Sequence, residues 1–264
     1  TEPSCLIPIN HGNKIIMAGD HNQLPPTILN MDAKKRGLEK TLFERMLEIH
    51  GNEIKSMLSV QYRMNTDIMD FSAENFYNGE LSAHPSVANH KISVQTSSNS
   101  VDKICNPDTP IVFVDTGGKE NSRKGSTSRH NPAEAIITSE IVDRFVDLGV
   151  KEKNIGVISP YDDQIKLLED KINHPGVEIK TVDGYQGREK DIILLSLVRS
   201  NPKKEIGFLK DLRRLNVSIT RARKKLVIIG NSQTLEKNKT YKELIDYIKK
   251  RNGILDGNFK LNGK

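Results

Sequence analysis

The sequence TVDGYQGREKDIILLSLVRSN, residues 181–201, and the sequence LRRLNVSITRARKKLVIIGN, residues 212–231, decide the fold. Each pairs an apolar, β-rich run with a dense group of charged and polar side chains. Nearly continuous apolar runs are typical of strands in a parallel sheet that is covered on both faces. A buried strand that ends in arginines and carboxylates usually presents them to an anionic ligand, so we expect nucleotide phosphate or nucleic acid to bind there.

Strands and helices alternate along the rest of the chain, which predicts an α/β fold with a parallel sheet. The predicted strands are residues 14–18, 57–60, 111–114, 154–159, 177–181, 191–197 and 226–230. The predicted helices are residues 31–50, 65–76, 132–148, 162–172, 216–223 and 241–251. The Ser/Asn-rich stretches 90–109 and 119–129 are predicted to be irregular or mobile. Asn131 is expected to cap the third of these helices, with Glu134 where a capping-box acid would lie.

The composition of the 264-residue chain, 36% hydrophobic and 28% charged, indicates a folded protein with one large or two small domains. The net charge of +6 permits nucleic-acid binding without establishing it. Two distant cysteines, Cys5 and Cys105, make neither a disulfide framework nor a zinc site and fit a reducing compartment. The longest apolar run, residues 192–198, is too short to span a bilayer.

Gln23 lies in the loop GDHNQLPP, residues 19–26, which follows a predicted strand. Its amide can hold a water molecule or a γ-phosphate oxygen, because an amide both donates and accepts hydrogen bonds. The alternative is a surface loop that its two prolines terminate.

Tyr62 and Arg63 stand together in QYRM, where the ring can stack on a base and the guanidinium can bridge phosphates. The alternative is packing plus a solvated charge. Ser159 and Tyr161 follow another predicted strand and can contact sugar-phosphate and base. The alternative there is a simple strand-to-helix junction.

In the segment GYQGRE, Gly187 permits close approach of a ligand to the backbone, and Glu189 can accept a ribose hydroxyl. Alternatively, Arg188 simply pairs with Glu189 on the surface. Arg221 and Arg223 fall within a predicted helix and point to different faces, so one of them can act as an arginine finger on a γ-phosphate. The alternatives are a basic helix face or a nucleic-acid patch.

Taken in order, five of these segments resemble the motifs of superfamily 1 helicases of the Upf-like branch. GDHNQLPP resembles motif III, QYRM motif IV, ISPY the short motif before motif V, VDGYQGREKD motif V and NVSITRARKKL motif VI. The resemblance covers residues 1–232. It implies an α/β fold of the RecA-like P-loop NTPase type, with helices on both faces of a parallel sheet. It also implies a two-domain motor that hydrolyses ATP and moves 5′ to 3′ on single-stranded RNA or DNA.

The resemblance assigns roles to particular residues. Those at the nucleotide are Gln23 as γ-phosphate sensor, Arg63 and Arg221 on the transferred phosphoryl group, Tyr62 near the base, and Gly187 and Glu189 lining the cleft. Those facing nucleic acid are Pro25, Ser159, Tyr161 and Thr181.

The chain departs from the family pattern because it contains no G-x-x-x-x-G-K-[ST] loop and no Walker B Asp-Glu pair. We therefore expect a fragment in which residues 1–55 end the first RecA-like domain, 56–235 form the second, and 236–264 form a basic helix and tail. ATP and Mg²⁺ are the expected cofactors, with the Mg²⁺ ligands upstream of this chain and no metal site within it. The chain alone is expected not to hydrolyse ATP.

The expected partners are single-stranded nucleic acid and the missing first RecA-like domain. The protein is expected to be a monomer without membrane contact, inside the cell in the nucleus or cytoplasm. Two alternatives remain open. One is a helicase–nuclease. A set of cysteines that binds an iron–sulfur cluster would support this alternative, and the sequence shows no such set. The other is a nucleic-acid-binding module without catalysis, which salt-dependent binding with no response to nucleotide would favour.

Overall fold

The chain divides into two compact units, one of residues Thr1–Ser59 and one that begins at Val60. The computed structural model describes residues 1–96 and 100–257, apart from the side chains of Ser100 and Val101. None of the described helices is both long enough and apolar enough to cross a membrane.

The first unit is helical in its described secondary structure, and the single helix predicted for residues 31–50 is broken. At Gly37 the backbone adopts φ 93°, which glycine tolerates and which interrupts the helix. A new helix begins after Thr41, whose hydroxyl and backbone form a capping box with Glu44. The helices of this unit are α1 (Glu2–Ile9), α2 (Met31–Ala33), a π-helical turn (Lys34–Leu38), α3 (Leu42–His50) and a 3-10 turn (Gly51–Ile54).

The strand predicted for residues 14–18 is wrong. These residues form no strand in the described part of the chain, and Ile16 is 87% exposed. A strand needs hydrogen-bonding neighbours, and no described segment pairs with this one. Its apolar character alone therefore does not place it in a sheet.

The second unit contains the predicted parallel sheet, which confirms the α/β prediction. Six strands lie in the order β5–β4–β6–β7–β3–β8 and every neighbouring pair is parallel. A separate parallel pair joins β1 to β2. The strands are β1 (Val60–Gln61), β2 (Ser82–Ala83), β3 (Ile111–Asp115), β4 (Ile155–Ser159), β5 (Glu178–Thr181), β6 (Lys190–Ser196), β7 (Ala222–Gly230) and β8 (Ile254–Asp256).

Helices cover both faces of the six-stranded sheet. The helices are α4 (Thr66–Phe76), α5 (Pro85–Ala88), α6 (Ser100–Cys105), α7 (Pro132–Asp147), α8 (Asp162–Lys171), α9 (Leu212–Ile219), α10 (Ser232–Leu235) and α11 (Lys239–Lys250). Side chains from α6, α7 and α8 form one core with alternate residues of the central strands, while α4, α9 and α11 pack together on the other residues. Because both sets are buried, the central strands carry apolar residues at successive positions in their interiors.

The first Ser/Asn-rich stretch contains helix α6, contrary to the prediction, whereas residues 119–129 form no helix and no named strand and are irregular as predicted. In the first, α6 buries Ile104 and Cys105 against α7, although residues 97–99 lie outside the described part of the chain. In the second, Ser126 donates a hydrogen bond of 2.7 Å to the Asp163 carboxylate. The small polar side chains serve as local hydrogen-bond partners, which sequence composition does not reveal.

Candidate functional site

The candidate site residues of the second unit fall at opposite edges of the sheet. We call the edge where the parallel strands begin the amino edge and the one where they end the carboxyl edge. Glu189 precedes β6 and Arg221 precedes β7, so both lie at the amino edge. Ser159 and Thr181 end β4 and β5, at the carboxyl edge. The expectation that strands end in the arginine and carboxylate clusters is therefore wrong, because β6 and β7 begin at those clusters.

The helix predicted for residues 216–223 ends earlier than expected. Helix α9 stops at Ile219, and β7 already begins at Ala222. Arg223 is consequently part of a strand and Arg221 lies in the turn before it. The two side chains differ in burial, since Arg221 is buried and Arg223 is partly exposed.

Arg221 is only 2% exposed, and neighbouring groups hold its guanidinium. Its Nε donates to the Val217 carbonyl at 2.9 Å and its Nη2 to Thr220 Oγ1 at 2.9 Å. Its Nη1 donates to the Arg188 carbonyl over a longer distance of 3.3 Å. In this conformation Arg221 fastens the end of α9 to the segment that leads into β6.

Arg63 reaches the same edge from the first part of the second unit. Its Nη1 donates to the Thr220 carbonyl at 3.1 Å, and its Nε forms an ion pair with Glu189. Arg223 lies on the other side of that carboxylate, with its Nε 3.8 Å from Glu189 Oε1 and its Nη1 3.7 Å from Asp191. Glu189 is thus shared by two half-exposed arginines, and an incoming phosphate can compete with it for both.

Tyr62 offers an aromatic face at the position next to Arg63. Its side chain is 64% exposed and stacks on the His84 ring, with centroids 4.4 Å apart and an interplanar angle of 26°. Gly187 is exposed and has φ 81°, a conformation that a residue with a side chain rarely adopts. An exposed ring beside paired arginines suits a ligand with a base and phosphates.

Gln23 and Pro25 belong to the first unit. The Gln23 amide donates a 2.6 Å hydrogen bond to Asp20 Oδ2, and Pro25 is partly exposed. The Asp20 carboxylate also accepts from the Asn22 backbone, so the loop is folded on its own side chains.

At the carboxyl edge, the structure buries two of the three side chains that the resemblance directs toward nucleic acid. Ser159 is fully buried and its hydroxyl accepts from the Tyr161 backbone at 3.4 Å, while Tyr161 is 7% exposed. Thr181 is partly exposed, and its hydroxyl accepts from the Gly184 backbone at 3.2 Å. Of the three, Thr181 alone reaches the surface here.

A buried polar network lies beneath this edge. Asn131 caps α7 as predicted, but Glu134 completes no capping box. Its fully buried carboxylate accepts from Ser196 Oγ at 2.7 Å and from the Val198 backbone at 2.8 Å. Gln164 joins the network by donating to Ser196 at 3.0 Å. Burial raises the pKa of Glu134 to about 8, against the opposing effect of these hydrogen bonds.

Glu120 is a structural residue of this edge for which the sequence analysis derived no role. Its carboxylate accepts from Arg199 Nε at 2.9 Å, from the Ser200 backbone at 2.8 Å and from the Asn201 amide at 3.1 Å. These bonds fix the chain as it leaves β6. A single acid in a polar stretch gives no sequence signal for such a contact.

The amino edge carries groups that can bind anionic phosphates and a flat ring. It combines two partly accessible arginines with an exposed aromatic ring, the donor set that anionic phosphates and a flat base require. Among the described residues, no three His, Cys, Asp or Glu side chains gather as a metal ion would need.

Comparison with known proteins gives consistent matches over the length of the chain. A family model described as an AAA domain matches residues 38–233, and another with the same description matches residues 1–31. The DNA-binding protein SMUBP-2 of Rattus norvegicus is 42% identical over 256 residues, covering 93% of this chain and 25% of that protein.

Two further relatives carry helicase names. The DNA polymerase alpha-associated DNA helicase A of Saccharomyces cerevisiae is 42% identical over 254 residues, covering 89% of this chain and 37% of the relative. An uncharacterized ATP-dependent helicase of Methanocaldococcus jannaschii is 44% identical over 253 residues, covering 94% and 37% respectively. The chain thus spans between 25% and 37% of the length of these relatives. With a family model matching most of its residues and the motif order described above, the chain belongs to the superfamily 1 helicases of the Upf-like branch.

Proposed function

We propose that the chain is the C-terminal part of an ATP-dependent helicase that moves 5′ to 3′ along single-stranded RNA or DNA. The observation that carries this proposal is the amino-edge cluster of Arg63, Glu189 and Arg223 beside the exposed ring of Tyr62. Two arginines that share one exchangeable carboxylate can transfer to phosphate oxygens without leaving a buried charge unpaired.

Arg63 is the better placed of the two arginines assigned to the phosphoryl group. It is partly exposed, whereas Arg221 must exchange one of its internal hydrogen bonds to reach a ligand. The 3.3 Å bond from Arg221 to the Arg188 carbonyl is the longest of the three and the one we expect it to exchange. Both guanidiniums would then stabilise negative charge on the transferred group, as an arginine finger does.

The remaining nucleotide contacts in the second unit are assigned to residues that are exposed to solvent. Tyr62 would stack on the base, Gly187 would allow the nucleotide to approach the backbone, and Glu189 would turn to the ribose once its arginines bind phosphate. In the first unit, Gln23 would sense the γ-phosphate through its amide.

ATP supplies the phosphoryl group whose transfer drives the motor, and Mg²⁺ neutralises its phosphate charge. The chain contains no G-x-x-x-x-G-K-[ST] loop, so the phosphate loop and the Mg²⁺ ligands would come from a first RecA-like domain. Closing the cleft between the domains would complete the site. The chain alone would therefore not hydrolyse ATP.

The test is nucleic-acid-stimulated ATP hydrolysis by this chain joined to the coding region that precedes it. Arg63→Ala and Arg221→Ala should each lower kcat by about 10³-fold or more, the usual effect of losing an arginine finger. Arg188→Ala is the matched control, because the Arg188 side chain pairs with Glu178 instead of the amino-edge cluster. Stimulated turnover that survives both substitutions would contradict the proposal. Tight single-strand binding without any turnover would instead favour a binding module.

A further inference from the structure

Phe208 is an exposed aromatic side chain at the carboxyl edge. It lies in the 3-10 turn Gly207–Lys210, within the segment that follows β6, and is 47% exposed. Ile206 and Leu209, on either side, are buried. The turn is therefore anchored by its apolar neighbours while it presents one large ring to solvent, at a cost in exposed apolar surface.

The Phe208 ring is held in place from two sides. Its centroid lies 6.0 Å from that of Tyr161, the buried aromatic that follows β4. The Arg214 guanidinium lies 3.8 Å from the ring centroid, a cation–π contact. Arg214 is itself fixed by ion pairs of 3.0 Å to Asp211 and 3.3 Å to Asp183. Buried Tyr161 thus supports a ring that remains accessible.

The backbone beneath the ring is also fixed. Gly207 has φ 51°, and a Cβ atom there would lie 1.7 Å from Nη1 of Arg199. Arg199 is in turn paired with Glu120 at 2.9 Å. A surface that is rigid before a ligand arrives loses little entropy when it binds.

The charges around Phe208 favour a nucleic acid over a protein partner. Lys203, Lys204 and Lys210 are exposed in the same segment. The Asn201 side chain closes the turn that carries the first two, bonding the Glu205 backbone at 2.9 Å and 3.0 Å. An exposed aromatic ring that carries the Arg214 guanidinium, in a segment with three exposed lysines, matches the stacking and phosphate contacts of single-strand binders.

We propose that Phe208 is a base-stacking platform for single-stranded nucleic acid, with Lys203, Lys204 and Lys210 directed to its phosphates. The inference rests on the proposed function and names a contact that the motif assignment placed on Tyr161. Tyr161 would act as a positioning residue that supports the platform from below.

The test uses the full chain and a twelve-nucleotide oligothymidylate. The chain contains no tryptophan, so Phe208→Trp introduces a single fluorescent reporter at the platform. Stacking of a base on that indole should quench its emission in step with binding. Asn173→Trp is the matched control, because Asn173 is exposed between α8 and β5 at the opposite edge and should not respond. Phe208→Ala should weaken binding about 5- to 150-fold, and Phe208→Tyr should retain it.

The outcomes separate this inference from the proposed function. If wild-type protein binds the oligonucleotide but Phe208→Trp is not quenched and Phe208→Ala binds equally well, the platform is refuted and the helicase proposal stands. If the wild-type chain and the chain joined to its preceding coding region both fail to bind, the platform and the nucleic-acid part of the proposed function are overturned together. Quenching at Phe208→Trp with none at Asn173→Trp supports the platform.

Discussion

Replacing Glu134 with glutamine should remove a pH dependence that this side chain gives to the stability of the second unit. The carboxyl group is fully buried and accepts hydrogen bonds from Ser196 and from the Val198 backbone. Burial raises its pKa to about 8. Glutamine has nearly the same shape but does not ionise, so it keeps most of the packing and removes the titration.

The direction in which stability changes with pH follows from two pKa values of Glu134, the ordinary value of 4.5 and the value of about 8 in the folded chain. Because the folded protein binds this proton more tightly, the stabilisation is fully present below pH 4.5 and is lost as the pH rises toward 8. Each pH unit in this window costs about 1.4 kcal/mol. Between pH 5 and pH 8, ionisation of Glu134 should therefore lower the free energy of unfolding of the wild-type protein by roughly 3–4 kcal/mol.

The assay is urea unfolding at about pH 5, 6.5 and 8, comparing wild type with Glu134→Gln. Subtracting one protein from the other cancels the contributions of the other titrating groups to the free energy of unfolding. Any constant cost of the amide changes this free energy by the same amount at every pH. Glu169→Gln, at an exposed position of α8, is the control and should follow wild type. If wild type and Glu134→Gln lose stability in parallel with rising pH, then the carboxyl group is already ionised in the fold and the reasoning is refuted.

Four further substitutions test single side chains by urea unfolding. Gly207→Ala should destabilise by more than about 1 kcal/mol, because φ 51° and the nearby Arg199 both oppose a Cβ atom; unchanged stability would show that the turn is loose. Arg221→Met should cost about 3 kcal/mol, because it removes the hydrogen bonds of a guanidinium that is only 2% exposed. Arg63 is partly exposed, so Arg63→Met should cost about 1 kcal/mol or less; equal costs would contradict the structural role of Arg221. Burial lowers the pKa of Lys225 from 10.5 to about 7. Wild type should therefore gain stability as the pH rises from 7 toward 10.5, whereas Lys225→Met should not. The same gain in both proteins would contradict the lowered pKa of Lys225.

The parallel sheet could be predicted because its central strands carry their own signal. The runs within β6 and β7 are apolar at successive positions, as burial on two faces requires. The same kind of signal at residues 14–18 gave a wrong strand. Pairing depends on neighbours elsewhere in the chain, and a run of four apolar residues does not encode them.

The start of β7 could not be predicted because its first residues are charged. Arg223 and Lys224 suggested the end of a helix, yet they lie in the strand at the rim of the sheet, where Asp191 lies within 4 Å of both. A rim position lets a strand begin with cations that its interior would not accept. Phe208 was missed for a different reason, since one aromatic residue in a polar segment has no periodicity.

Strand β6 joins the two candidate edges, because Glu189 precedes it and Val198 follows it. Its seven residues span about 23 Å at 3.3 Å each. It is paired with β4 and β7 and packed on both faces, so it cannot lengthen or bend without disrupting both neighbours. We therefore expect the second unit to respond to a ligand as one rigid body.

This rigidity predicts that nucleotide and nucleic acid bind independently to the chain by itself. A non-hydrolysable ATP analogue should change the affinity for oligothymidylate by less than about twofold, because β6, the strand between the two edges, is paired with a strand on each side and does not shift. Coupling should appear only when the chain is joined to the first RecA-like domain proposed above, since closure of a cleft needs a second body to move against. The measurement is oligonucleotide affinity with and without the analogue, in both proteins. A tenfold change in the chain alone, about 1.4 kcal/mol of coupling, would show that the sheet itself deforms and transmits the signal.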